Sequence, residues 1–139
     1  MKLDEAECRA RVAAARVARL GTVGSDLRPH LVPVTYAVHG DELFVAVDHK
    51  PKSTTALKRL ANIAAHERVA VLVDEYDEDW THLWWVRVDG VARVLDTHAE
   101  AVELLVAKYP QYDSDPPQGP VITVRVDGWS GWAYQGEGD

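Results

Sequence analysis

The stretch LFVAVDHKPKSTTALKRLANIAAHER, residues 43–68, decides how the rest of the chain is read. Its opening, LFVAV, is apolar and rich in strand formers, and the segment holding Lys50, Pro51 and Lys52 ends it. Ser53 or Thr54 then caps a helix expected over 53–65, with Ala56, Leu57, Leu60, Ala61 and Ala64 on one face and His66 beside its C-terminus. Lys50, Lys52, Lys58 and Arg59 put four cations within ten residues. A strand that hands over to a helix N-terminus gathers free backbone N–H groups and positive charge at one point, which suits a phosphate. Taken singly, each residue has an ordinary reading as a solvated turn lysine, a plain N-cap or a helix-surface arginine. Their convergence on one loop and the first turns of one helix is what favours an anion site.

Around this stretch the totals are those of one domain over 1–139, with 47% hydrophobic residues to build its core. A net charge of -7 and a pI near 5.3 argue against a nucleic-acid surface, which needs a broad basic face. Cys8 is the single cysteine, so an intrachain disulfide and a multi-cysteine zinc site are excluded, and a reducing cytoplasm is the expected location. The Arg-rich first twenty residues are interrupted by Asp4, Glu5 and Glu7 and lack the apolar segment of a leader, and no run approaches a membrane span.

From the N-terminus, Asp4 and Glu7 have the spacing of a capping pair for a helix over 4–16, whose apolar face includes Cys8 as a small buried hydrophobe. Strands are expected at 17–23 and 29–38, the second interrupted by Pro29 and Pro33 and therefore an edge, bulged, or paired on one side only. His39, Gly40 and Asp41 turn it into the strand at 43–47. Val69–Val73 reads as a central strand buried on both faces, and DEYDED at 74–79 as a solvated acidic loop that lacks the glycine and terminal glutamate of a calcium loop. In LWWVRVDGVARVL, 83–95, the Asp89-Gly90 pair fits a hairpin turn or a bulge in one long strand. Thr97 and Glu100 suggest a capped helix to Lys108, followed by a Pro-rich loop, a strand at 121–126 and an aromatic tail. About six strands joined largely by hairpins, with three short helices, describe a small barrel decorated by helices.

The familiar catalytic signatures are missing. GTVG at 21–24 is neither a dinucleotide-binding fingerprint nor a P-loop, there is no G-x-S-x-G or H-E-x-x-H, and the six histidines contain no i, i+4 pair. Five tryptophans all fall in the second half; Trp84 and Trp85, adjacent in a strand, point to opposite faces, so one of them belongs to a pocket or an interface.

In their order along the chain, ARLGTV, RPHLVPVTYAV, LFVAVDHKPKS with LKRLANI, RVAVLVDEYDEDW with LWWVRVDGVARVL, and the C-terminal VITVRVDGWSGW resemble the split-barrel flavin and deazaflavin oxidoreductases related to pyridoxamine 5'-phosphate oxidase. The resemblance covers about 17–95 plus that C-terminal stretch, and is nearest to the actinobacterial subgroup assigned to the deazaflavin coenzyme F-420. It implies a mainly β (α+β) fold, a six-stranded antiparallel split β-barrel with short flanking helices of the FMN-binding type, and a homodimer with cofactor sites between the barrels. It favours a bulge over a hairpin at Gly90.

Carried over by position, the resemblance places the backbone of His30, Leu31, Val32, Pro33, Val34 and Thr35 against the cofactor ring. It gives Lys50, Lys52, Ser53 and Arg59 to the phosphate and makes Trp85 a wall of the ring pocket, contributed to its own or the other subunit's site. The implied reaction is hydride transfer between a reduced cofactor, F-420 or alternatively FMN, and a small organic acceptor, which asks the protein mainly to bind, orient and desolvate. Tyr36 and His49 are the positional candidates for a proton donor. A non-catalytic binder of flavin, haem or tetrapyrrole is the reading from another class.

Overall fold

The computed structural model describes residues 1–47 and 54–134, the side chains of 54–57 excepted. The elements are α1 (Glu5–Ala14), β1 (Ala18–Val23), β2 (Pro29–Val34), β3 (Tyr36–His39), β4 (Glu42–Ala46), α2 (Thr54–Ala65), β5 (Arg68–Glu75), β6 (Trp84–Leu95), α3 (Ala99–Lys108) and β7 (Val121–Ala133). Two short 3-10 turns, Trp80–His82 and Pro110–Tyr112, complete the order. All seven strands join one antiparallel sheet in the order β2-β1-β5-β6-β7-β4-β3. No helix among the described residues is long and apolar enough to cross a membrane.

The expected strand at 29–38 is two strands. Residues 29–34 pair with β1, from Ala18↔Val34 to Val23↔Pro29, whereas 36–39 pair with β4, from Tyr36↔Val45 to His39↔Glu42. Thr35 alone separates them, yet β2 and β3 are the two opposite edges of the sheet. A single residue spans only a few ångström, so the edges must come together and the sheet must curl into a barrel split at Thr35. Pro29 and Pro33 thus sit on a strand paired on one side, the position in which a missing ladder N–H is tolerated.

The curl puts alternate residues inside. Leu20, Val71, Val73, Val86, Val88, Val45 and Val124 are all fully buried in one apolar cluster. Each such side chain contributes about 1.5–3 kcal/mol when withdrawn from water. The unbroken apolar run at 69–73 was expected to be buried on both faces; instead it alternates, with Val69, Val71 and Val73 inside and Leu72 38% exposed. Neither α1 nor α2 is centred on this strand: α1 packs mainly on β7, and α2 on β1 and β6.

At Asp89-Gly90 the chain does not turn back. β6 continues to Leu95, and its register against β7 shifts between Asp89 and Gly90, so this is a bulge. A Cβ on residue 90 would lie 2.5 Å from the Arg125 carbonyl oxygen and 2.7 Å from Val124 Cγ1, and this close approach of two backbones requires glycine. The aromatic tail is also strand, since β7 extends to Ala133, and the division of 29–38 at Thr35 makes seven strands in place of six.

α2 and α3 end where their patterns suggested, at Ala65 and Lys108, whereas α1 is shorter than expected. Asp4 caps α1, its carboxylate accepting from the Glu7 N–H at 2.8 Å, but the helix stops at Ala14. Cys8 and Val12 face the barrel from it. The cap of α3 is His98, whose Nδ1 accepts from the Ala101 N–H at 3.1 Å, and not Thr97. The acidic stretch 74–79 begins inside β5, and Asp77 and Asp79 flank His82 at 3.1 and 3.6 Å, raising its pKa.

Candidate functional site

Where β2 and β3 part, the barrel opens into a cleft of about 430 Å³. Its walls come from three places, and a fourth element adds a single side chain. Pro33, Val34 and Thr35 form the strand break, Ala46 and Val47 end β4, and Gln111, Tyr112, Asp115 and Pro117 come from the connection between α3 and β7. Arg59 reaches in from α2.

The strand break survives because side chains take over the hydrogen bonds that the ladder gives up. The Tyr109 hydroxyl lies 3.1 Å from both the N and the O of Tyr36 and 2.9 Å from the Arg16 carbonyl oxygen. Thr35 Oγ1 and the Tyr112 hydroxyl share a hydrogen at 2.8 Å. Tyr109 and Tyr112 meet edge to face, with ring centroids 5.8 Å apart. Tyr109, the residue that ends α3, and the turn behind it thereby hold open the point where the barrel is split.

Arg59 is placed by the seating of its helix. One turn further on, the fully buried Asn62 donates from Nδ2 to Thr22 Oγ1 at 3.0 Å, tying α2 to β1, while Leu60 and Ile63 pack on the core. Arg59 is left half-buried, and its Nε, cut off from solvent, finds no hydrogen-bond partner among the described residues. Burial lowers the pKa of its guanidinium. A guanidinium withdrawn from water with an open donor is poised to accept an anionic partner.

The residues singled out in the sequence are distributed unevenly. Pro33, Val34, Thr35 and Arg59 share the cleft. Val32 is buried in the core, while His30 and Leu31 border a separate shallow groove on the outer sheet with Gly21 and Ala70. Trp85 is also on the outer face, in register with Trp132 and away from the cleft lining. Trp84 packs inward, as its opposite parity required. Lys58, counted among the converging cations, instead pairs with Asp26 at 3.3 Å. Lys50, Lys52 and Ser53 lie outside the described residues, as does His49.

Tyr36 is not a proton donor to the cleft. It is fully buried, and its hydroxyl donates to the carbonyl oxygens of Val12 and Ala15 at the end of α1. Burial, with Tyr109 alongside, raises its pKa. Gln111, Tyr112 and Asp115 were not anticipated as cleft residues. Their segment reads as a Pro-rich loop, and its only local hint is an aromatic spacing, Tyr109 and Tyr112, that matches one turn.

Comparison with known proteins places this geometry. The family model described as pyridoxamine 5'-phosphate oxidase matches residues 4–133. No curated protein matches the sequence. Among solved structures, the chain is similar to an FAD-binding protein from Mesorhizobium loti, at TM-score 0.73 and 23% identity over 94% of this chain and 95% of that one. A conserved hypothetical protein from Mycobacterium tuberculosis gives TM-score 0.73 and 22% identity over 99% and 93%. The haem-storage protein HutZ from Vibrio cholerae gives 0.69 and 14% over 93% of each chain. At such identities the likeness shows the shared split-barrel fold.

Proposed function

The chain belongs to the pyridoxamine 5'-phosphate oxidase family, and from that premise we propose that its cleft binds a flavin-type cofactor for hydride exchange with a small organic acceptor. The deazaflavin F-420 is the first choice and FMN the alternative. The observation that carries this reading is Arg59, with its buried open donor on the wall of a cleft made by a broken strand. Both cofactors combine a phosphate with a flat polar tricycle, and the cleft offers a cation for the first and Pro33, Val34 and Thr35 for the second. In the sequence, Lys50, Lys52 and Ser53 follow closely on Val47, itself a cleft residue, and we assign them to the phosphate as well.

Such a cofactor supplies the hydride chemistry when bound. The residues of this chain bind and orient it: Arg59 neutralises the phosphate, and the half-open strand edge at 33–35 offers backbone groups to the ring. Val34 and Val47 exclude water from one side.

A homodimer belongs to the same proposal. The outer face of β2, β1, β5 and β6 exposes Leu31, Leu72 and Trp85, an apolar set that a second copy would cover. In that arrangement Trp85 would reach the partner's ring pocket rather than its own. A non-catalytic binder of flavin, haem or tetrapyrrole is favoured by one observation, the commitment of the Tyr36 hydroxyl to the core.

Tryptophan fluorescence titration with FMN and with F-420 tests the reading, followed by mixing reduced F-420 with candidate acceptors. Binding at micromolar concentration is expected, weakened about tenfold or more in Arg59→Ala, because a hydrogen bond to a charged group is worth about 1.5–3 kcal/mol. No binding of either cofactor at tens of micromolar would overturn it.

A further inference from the structure

Thr35 and Tyr112 line the same cleft from different walls, the first at the strand break and the second on the turn after α3. Their hydroxyls are 2.8 Å apart, and either can be the donor. Two hydroxyls bring two hydrogens, and the bond between them uses one. Whichever way that bond points, the pair retains one O–H donor and free lone pairs. Reversing its direction exchanges which oxygen donates outward, so the pair can face an adjoining carbonyl and N–H together.

Resting on the cofactor reading above, we propose that the Thr35–Tyr112 hydroxyl pair is a specificity determinant of the cleft that recognises a ring edge carrying alternating carbonyl and N–H groups, as in a cyclic imide. FMN and F-420 both carry such an edge, and the porphyrin of haem does not. The pair therefore selects a flavin-type ring over other flat ligands of similar apolar character. Its rigid mounting supports this role. Tyr112 stacks edge-on against Tyr109, and Tyr109 holds the backbone of Tyr36, the residue after Thr35. Both hydroxyls are thus held in place before any ligand arrives, which limits the ordering cost of binding.

The test compares Thr35→Val, Tyr112→Phe and the double variant with the intact protein, measuring dissociation constants for FMN, F-420 and hemin by tryptophan quenching and the melting temperature of each ligand-free protein. Each single variant should lose about tenfold in affinity for FMN and F-420, the worth of one hydrogen bond. Hemin affinity should stay within about twofold. The double variant should lose little more than either single, because each change disables the same pair. A loss common to all three ligands, tracking the melting temperature, would mark the pair as merely structural and overturn the proposal, as would unchanged affinity for FMN and F-420. If the intact protein takes up hemin but neither FMN nor F-420, the cofactor reading itself fails, and the inference with it.

Discussion

Tyr109 does at residue scale what a strand neighbour does elsewhere in the sheet. Its hydroxyl accepts from the Tyr36 N–H and has one hydrogen to give to the Tyr36 or Arg16 carbonyl oxygen. Tyr109→Phe leaves the buried Tyr36 N–H without an acceptor, and a fall in stability of about 1–3 kcal/mol is expected, read as a lower urea midpoint at unchanged slope. Gly90→Ala should destabilise for a different reason. The added methyl meets the Arg125 carbonyl and Val124, backbone and packed core that have little room to yield, so a loss of at least about 1–3 kcal/mol is expected in the same measurement. An outcome within 0.5 kcal/mol of the native protein would show that the bulge relaxes freely. Local propensity at Asp89-Gly90 is equally content with a hairpin. The partners on both sides, β5 from Arg68 to Glu75 and β7 from Val121 to Ala133, make the strand continue.

At the scale of elements, the N-terminal cap of α1 was legible because capping is local. Asp4 and Glu7 are three residues apart and their bond needs nothing else. Asp4→Ala should cost about 1 kcal/mol. The end of α3 presents a less visible feature. Lys108 places its ammonium 3.8 Å from the Tyr36 ring and 5.4 Å from the Tyr109 ring, and its Nζ, shielded from solvent, has no hydrogen-bond partner among the described residues. Burial, and then the nearby Arg16, push its pKa down to about 8 from 10.5. Below about pH 8 the group is charged folded and unfolded, and the folded state carries the whole cost of the buried charge. Between about 8 and 10.5 the unfolded chain holds more protons than the folded one, so this contribution raises stability as pH increases. Lys108→Met should therefore stabilise the protein at pH 7, by about 1 kcal/mol after allowing for partial screening, with a smaller gain at pH 10. Urea midpoints of the two proteins at both pH values check this. A gain that grows with pH would contradict it.

The whole molecule is governed by the meeting of two sheet edges. The outer face of β5 and its neighbours exposes Leu31 at 72% and Leu72 at 38%, with Trp85 and Trp132 at 37% each, although inner residues of the same strands such as Val32, Val71, Val86 and Val124 are buried. Sedimentation is expected to give a particle of about twice the 15.4 kDa chain. Leu72→Glu should shift it toward the monomer, because in the proposed dimer it would bury a charge. A native chain that sediments as a monomer at tens of micromolar would remove the proposed dimer and the cross-subunit role of Trp85 together.

What the sequence determined by itself was whatever rests on neighbours a few residues apart: the helix expected over 53–65, the cap at Asp4, the parity that separates Trp84 from Trp85, and the incomplete pairing that Pro29 and Pro33 impose on the strand expected at 29–38. Those signals also suffice for a mainly β barrel, since strand periodicity and turn chemistry are local. Only the tertiary structure decided that the 29–38 segment divides at Thr35, that Lys58 turns away to Asp26 while Arg59 stays in the cleft, and that Gln111, Tyr112 and Asp115 supply its third wall. Each of these depends on groups far apart in the chain, 77 positions for Thr35 and Tyr112 and 32 for Lys58 and Asp26. Periodicity carries no information at that range, because such contacts exist only once the sheet has curled and its edges have met.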